Sequence, residues 1–182
     1  MSMNPNDYLA GTPIAVTDGI YDFLDQQDDY SENYDQIAQD DLQKHIMPDE
    51  VKDVLLNCCQ VAMTKSGTVV DIGAAYGLIL TRVPAIERIG VDIAIDYLRK
   101  IPEDVLRIRA NAEKIPLKSG IADYVICTDV FEHVLNELDL ACELTRLIKP
   151  DGTLLLATPW GQDLSVYETE EYKTKYAKYK YV

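Results

Sequence analysis

Short apolar runs alternate with segments of helical periodicity over most of the chain. From Thr68 onward the apolar runs are Thr68–Ile72, Arg88–Asp92, Leu106–Arg109, Tyr124–Thr128 and Thr153–Thr158, each bounded by polar or turn-forming residues. Between them, Tyr76–Val83, Ile95–Lys100 and His133–Ile148 read as helices. The last has an amphipathic face of Val134, Leu138, Ala141, Leu144, Leu147 and Ile148, and Lys149-Pro150-Asp151-Gly152 turns the chain into the next strand. Strands regularly separated by helices predict an α/β fold with a mostly parallel sheet. Upstream, residues 33–64 read as two helices. Pro48, Asp49 and Glu50 suit the start of the second, and Val51, Val54, Leu55, Cys58 and Val61 form an apolar stripe ended by Lys65-Ser66-Gly67. Residues 1–32, rich in Asp, Tyr, Gly and Pro, read as an irregular arm. Lys173–Val182 alternates Lys and Tyr and reads as a terminal helix or strand. The pattern divides the chain into an N-terminal arm and helical cap (1–66), an α/β core (67–160) and a C-terminal tail (161–182).

Composition narrows the setting. The 182 residues, 47% of them hydrophobic, suit one ordinary soluble domain. No apolar run approaches the ~20 residues needed to cross a bilayer, and residues 1–7 lack the features of a signal peptide, so a cytoplasmic protein without a membrane partner is expected. The four cysteines form no CxxC pair and read as small apolar side chains in a reduced state. The net charge of -14 is concentrated near the start, where residues 1–53 carry thirteen acids against Lys44 and Lys52. Such a surface repels phosphate backbones and argues against a nucleic-acid partner. Keeping a helical segment soluble is the favoured role of these acids, with attraction of a cationic acceptor the weaker alternative.

Candidate chemistry lies at the ends of the predicted strands, where open α/β sheets bind ligands. Val69-Val70 leads into Asp71-Ile72-Gly73-Ala74-Ala75-Tyr76-Gly77, a buried strand entering a glycine-bearing turn, and glycine admits a ligand where a Cβ would collide. About 20 residues on, Gly90-Val91-Asp92-Ile93 ends the second strand. Asp92 is placed there to accept hydrogen bonds from the ribose hydroxyls of an adenosine, with Ile93 against the base. The third strand delivers Arg109-Ala110-Asn111-Ala112, whose Asn111 could read the adenine amino edge. The fourth delivers a polar cluster from Thr128 and Asp129 to Glu132 and His133.

Taken in order, D-I-G-x-x-x-G, G-V-D-I, N-A-E-x-I-P, D-Y-V-I-C-x-D-V-F-E-H-V and L-I-K-P-D-G-T-L-L-L-A-T-P resemble the class I S-adenosylmethionine (SAM)-dependent methyltransferases, especially their small-molecule group, over about residues 67–160. The resemblance implies a Rossmann-like sheet with SAM as cofactor. Asp71, Gly73, Ala74 and Gly77 would border its methionine part, Asp92 and Ile93 its ribose and base, Asn111 and Ala112 its adenine, and Thr128 and Asp129 the ligand face of the fourth strand. The family turn usually has glycine and a small residue where this chain has Ala74-Ala75-Tyr76, and Tyr76 could cover the cofactor or face solvent. The family sheet ordinarily adds two strands beyond Thr158, and the residues after Trp160 are too few for them. A shortened sheet, a truncated chain and a partner that completes the edge are the alternatives, and an unprotected edge would favour association, including self-association.

Methyl transfer requires alignment of acceptor and methyl and, for some acceptors, removal of a proton. His133 is the leading candidate base, the alternative being a helix-start residue satisfied by backbone contacts; His45 reads as structural or exposed. Asp129, Glu132 and His133 also admit a metal reading, for Mg²⁺ or Mn²⁺, similar to the D/E-x-x-E-H of ubiquinone-type O-methyltransferases. Tyr21, Tyr30, Tyr34 and Trp160 are candidate walls for a planar or apolar acceptor. The function expected is methylation of a small molecule, at oxygen or nitrogen rather than carbon. A non-catalytic SAM- or nucleoside-binding module or partner subunit is the alternative. A nicotinamide-dependent oxidoreductase is disfavoured because the turn lacks G-x-G-x-x-G.

Overall fold

A computed structural model of the chain describes residues 3–25, 29–40, 49–85, 87–159 and 168–179. Its centre is a sheet built on the five expected strands. The strands are β1 (Ala15–Thr17), β2 (Ile20–Asp22), β3 (Thr68–Ile72), β4 (Glu87–Asp92), β5 (Leu106–Arg109), β6 (Ala122–Thr128) and β7 (Ile148–Ala157). Their spatial order is β1-β2-β5-β4-β3-β6-β7, and every pairing is parallel except that of β1 with β2. In the inner strands, β3 to β6, valine, isoleucine and leucine are buried on both faces, as a covered parallel sheet requires. The chain runs outward from β3 through β4 to β5, then returns to place β6 on the other side of β3. In sheets with such a reversal the usual ligand position is the crevice at the C-terminal ends of the flanking strands, here β3 and β6.

Helices α1 (Asp29–Gln39), α2 (Asp49–Ala62), the single-turn α3 (Ile95–Leu98), α4 (Glu137–Leu147) and α5 (Glu170–Tyr176) complete the described fold. One face of the sheet, with Val70, Ile72, Val91, Ile108 and Val125, packs against Leu140, Leu144 and Leu147 of α4. On the opposite face Val69, Tyr124 and Ile126 meet Leu56 and Cys59 of α2 with Leu80, Leu98 and Ile101. A third cluster joins Tyr34, Ile37 and Ala38 of α1 to Ala94, Tyr97 and Tyr179. None of the described helices is long and apolar enough to cross a membrane.

Several local expectations need correction. The N-terminal arm is not wholly irregular: β1 and β2 form a hairpin around Asp18 (φ 53) and Gly19 (φ 72), and β2 extends the core sheet beside β5. An Asp-Gly pair between extended residues is a strong hairpin signal, because both turn positions need positive φ. Tyr76–Val83 is a series of turns rather than a helix. Left-handed Gly77 (φ 75) opens it, Pro84 closes it, and the Thr81 hydroxyl donates to the Gly77 carbonyl at 2.9 Å, so no regular hydrogen-bond ladder develops.

On α2 the valine stripe faces outward, with Val54 60% and Val61 79% exposed, while Leu56 and Cys59 are buried. Two apolar faces compete on this helix, and the sheet takes the one carrying Leu56, Cys59 and the following Met63. The predicted helix at His133 splits: Phe131–His133 is a 3-10 turn, and α4 starts only after Asn136, whose side chain accepts from Leu138 N and Asp139 N. An Asn cap satisfies two orphan donors there, which sets the start more firmly than periodicity does. Lys149–Gly152, expected as a turn, instead belongs to β7, in an irregularity of its pairing opposite Asp123, whose carboxylate accepts from Lys149 Nζ at 2.7 Å. The outer strand β7 leaves Leu154 and Leu156 exposed.

The displaced face of α4 is directly testable. Leu140 is fully buried whereas Leu138 is 70% exposed. Leu140→Ala is expected to cost about 2–5 kcal/mol in denaturant unfolding, and Leu138→Ala less than about 0.5 kcal/mol. Equal losses at the two positions would return the helix to the face expected from its sequence.

Candidate functional site

The glycine turn after β3 is built from left-handed backbone. Gly73 (φ 71) and Gly77 (φ 75) adopt it freely, while Ala75 (φ 44) does so at a cost on the order of 1 kcal/mol. Gly73 N and Ala74 N both donate to the Val91 carbonyl, at 2.9 and 3.1 Å, which ties the turn to the end of β4. A Cβ at Gly73 would run into the Val130 side chain, so the turn and the segment after β6 pack closely.

Asp92 holds this region together. One carboxylate oxygen accepts from Ala75 N at 2.8 Å and the other from Ala94 N at 2.8 Å. The first contact stabilises the strained alanine, and the second shapes the loop leading to α3. Burial pushes the Asp92 carboxyl up to about 6, against the lowering effect of the Ala94, Ala75 and Ile93 N–H groups. Asp71, 3% exposed at the end of β3, is pushed up to about 8 by burial and then by the charge of Asp92. Asp71, Gly73, Ala74, Gly77, Asp92 and Ile93 are thus gathered at one end of β3 and β4. Tyr76 is half-buried and borders an open cavity of about 450 Å³, lined also by Asp49, Lys52 and Asp53 of α2 and by Leu78 and Arg82.

Asn111 follows β5, and its Oδ1 accepts from Glu113 N at 2.8 Å, forming a local turn that fixes the amide. Ala112 packs partly into the core. Across the crevice Thr128 ends β6, and Asp129 (φ 54) is another left-handed residue, its N–H donating to the Ala157 carbonyl at 3.0 Å. Burial and then Glu132 push the Asp129 carboxyl up, with His133 opposing them. Glu132 accepts from the Thr158 hydroxyl at 3.2 Å, and its other oxygen lies 3.8 Å from His133 Nε2.

Helix α1 closes over this cluster. The Tyr30 hydroxyl donates to the His133 carbonyl at 2.6 Å, and the Tyr34 ring meets the His133 ring edge-on with centroids 6.0 Å apart. Burial and the nearby Tyr30, Asp92 and Glu132 hold the Tyr34 hydroxyl well above its usual range. Tyr21 lies elsewhere, on β2 beside Ile108 of β5. Trp160, His45 and Pro48 fall outside the described residues. The metal reading of Asp129, Glu132 and His133 finds no support: among the described residues no three His, Cys, Asp or Glu side chains gather into a metal-binding group. The 3-10 turn directs Glu132 to Thr158 instead.

Sequence reasoning gave no role to Val130, Asp35 or Arg109. The positive charge of Arg109 at a strand end, in an otherwise acidic chain, was the available signal for that residue.

The fold defines a class: a Rossmann-like α/β domain with a glycine turn and a buried carboxylate at a strand end. Residues 70–156 match the family described as "Methyltransferase domain". The match spans just under half of the chain, and the α/β core has the Rossmann-like sheet of class I SAM-dependent methyltransferase structures. Among solved structures, the methyltransferase in complex with the Trm112 methyltransferase activator of Haloferax volcanii superposes with a TM-score of 0.63 at 18% identity, covering 82% of this chain and 68% of that one. A SAM-dependent methyltransferase of Thermotoga maritima gives 0.62 at 17% identity, covering 80% and 70%. An uncharacterized protein of Methanocaldococcus jannaschii is 30% identical over 92 residues, 50% of this chain and 40% of that protein. The malonyl-[acyl-carrier protein] O-methyltransferase of a Marinomonas species is 29% identical over 135 residues, 70% of this chain and 48% of that protein. The chain therefore spans less than half the length of either curated relative.

The Asp92 carboxylate accepts from backbone N–H groups on both oxygens and keeps acceptor capacity beyond them. The same carboxylates give a pH signature. Asp92 and Asp71 keep their protons in the folded chain at pH values where the unfolded chain, near 3.8, has lost them. Their stabilisation is fully present below that value and is lost as pH rises through about 6 and about 8 respectively. Asp71→Asn cannot ionise, so its melting temperature is expected to fall less than that of the parent between pH 6 and pH 8. Parallel decline of the two would count against a protonated Asp71.

Proposed function

We propose that this protein transfers the methyl group of SAM to a small-molecule acceptor, at oxygen or nitrogen. The observation that carries the reading is Asp92, buried at the end of β4 and bonded to both the glycine turn and the following loop. SAM when bound supplies a methyl on a sulfonium, open to in-line displacement. In this reading Asp92 holds the ribose, the turn from Gly73 to Gly77 borders the methionine part, Ile93, Asn111 and Ala112 border the adenine, and Thr128 and Asp129 line the opposite wall.

The acceptor enters on the side of α1. Tyr30, Tyr34 and His133 form an aromatic border there, and the net charge of -14 disfavours polyphosphate acceptors. His133, with its side chain 31% exposed beside this border, takes the proton from the acceptor hydroxyl or amine. Helix α1 holds it in place through the bond from Tyr30 to its carbonyl. The relative from Marinomonas is named as an O-methyltransferase, in keeping with oxygen as one acceptor atom.

Calorimetric titration with S-adenosylhomocysteine tests the cofactor assignment, with NAD as the contrast. Binding of the former alone is expected, and Asp92→Ala should weaken it about tenfold or more, since each hydrogen bond to a carboxylate contributes ~1.5–3 kcal/mol. Unchanged affinity in that variant would remove the ribose role. With an acceptor found by transfer of labelled methyl, His133→Ala should lower kcat by about 10²–10⁴ while leaving S-adenosylhomocysteine affinity intact. Full turnover at every pH would eliminate His133 as the base.

A further inference from the structure

The segment that follows Asp92 is held from outside as well as by Asp92 itself. Arg109, at the end of β5, donates from Nε to the Ile93 carbonyl at 3.0 Å and from a terminal nitrogen to Asp35 Oδ2 at 2.8 Å. The other oxygen of Asp35 accepts from Ile95 N at 2.8 Å. These three bonds run from Ile93 through Arg109 and Asp35 to Ile95 and enclose Ala94, whose own N–H donates to Asp92 Oδ1. The second terminal nitrogen of Arg109 reaches Asp22 of β2 at 3.3 Å. Both members of the central pair are 8% exposed.

A buried ion pair contributes little net stability, because desolvation offsets most of the attraction, and an apolar pair of similar volume could fill the same space. What this pair supplies is directed bonds to two backbone groups of the loop carrying the strand-end carboxylate. Helix α1 is further tied to the same element by Tyr97, whose hydroxyl donates to the Ile37 carbonyl at 3.4 Å, and by Lys100 Nζ on the Ala38 carbonyl at 3.2 Å. The N-terminal helix and hairpin therefore meet the core at the residues that shape the Asp92 loop.

We infer that Asp35 and Arg109 are positioning residues for cofactor capture, docking the N-terminal segment so that the 92–95 loop holds Asp92 in its ligand-binding orientation. This rests on the assignment of Asp92 to the ribose. The two residues touch neither the acceptor nor the reacting atoms; they act through the backbone of Ile93 and Ile95.

The test measures S-adenosylhomocysteine affinity by calorimetry for the parent chain, Asp35→Asn, Asp92→Asn and the double variant, each well below its melting temperature. Asp35→Asn is milder than Asp35→Ala, which would strand the Arg109 charge. Leu140→Ala, remote on α4, provides a destabilised control. Asp35→Asn should weaken binding about tenfold, and that penalty should shrink to less than about twofold in the Asp92→Asn background, because the two residues act through one loop. Leu140→Ala should leave affinity unchanged. An unchanged affinity in Asp35→Asn, a penalty that persists in full in the double variant, or an equal loss in Leu140→Ala overturns the inference. Absence of binding by the parent chain would instead overturn the cofactor assignment, and the positioning role with it.

Discussion

One carboxylate organises the ligand end of this molecule. Asp92 ends β4 beside β3, where the strand order reverses, and its two oxygens bind the backbone of the glycine turn on one side and of the next loop on the other. Removing that charge would release the Ala75 N–H, leave a left-handed alanine without its stabilising contact, and loosen the entry to α3. Burying a carboxylate is unfavourable, as its raised proton affinity shows. A group that reaches it with two hydroxyl donors would supply hydrogen bonds of the kind that favour its charged form. The fold thus holds a partly satisfied acceptor at the place where such sheets bind nucleosides.

The two walls of the crevice differ in how they are made. The β3–β4 wall is backbone and buried carboxylate, fixed by hydrogen bonds near 2.8–3.1 Å. The β6 wall is side chains in partial exposure: Asp129, Glu132 and His133, covered by Tyr30 and Tyr34 of α1. Rigid backbone suits a ligand recognised through invariant hydroxyls, and adaptable side chains suit an acceptor. Both walls depend on α1, through Asp35 on the first and Tyr30 on the second.

Much of this was legible in the chain. The core strands follow from apolar runs bounded by turns, and the order of Asp71, Gly73, Asp92, Asn111 and His133 along the sequence matches the strand ends that carry them. Periodicity was less informative where several forces compete. The valine stripe of α2 is a sound amphipathic face that lost the sheet to Leu56 and Cys59, and the start of α4 was set by the Asn136 cap rather than by apolar spacing. The Asp-Gly turn of the N-terminal hairpin was present in the sequence and its meaning local. The bond between Asp35 and Arg109 had no such signature, since 74 residues separate the partners and only the folded chain brings them together.

The proposed role of Asp92 is to receive the ribose of an adenosyl ligand. A crystal structure of the protein with S-adenosylhomocysteine tests it most directly. Both ribose hydroxyls are expected within hydrogen-bond distance of the Asp92 carboxylate, with the methionine part passing the turn from Gly73 to Gly77. A ligand seated elsewhere, or seated in the crevice with its ribose away from Asp92, would contradict it.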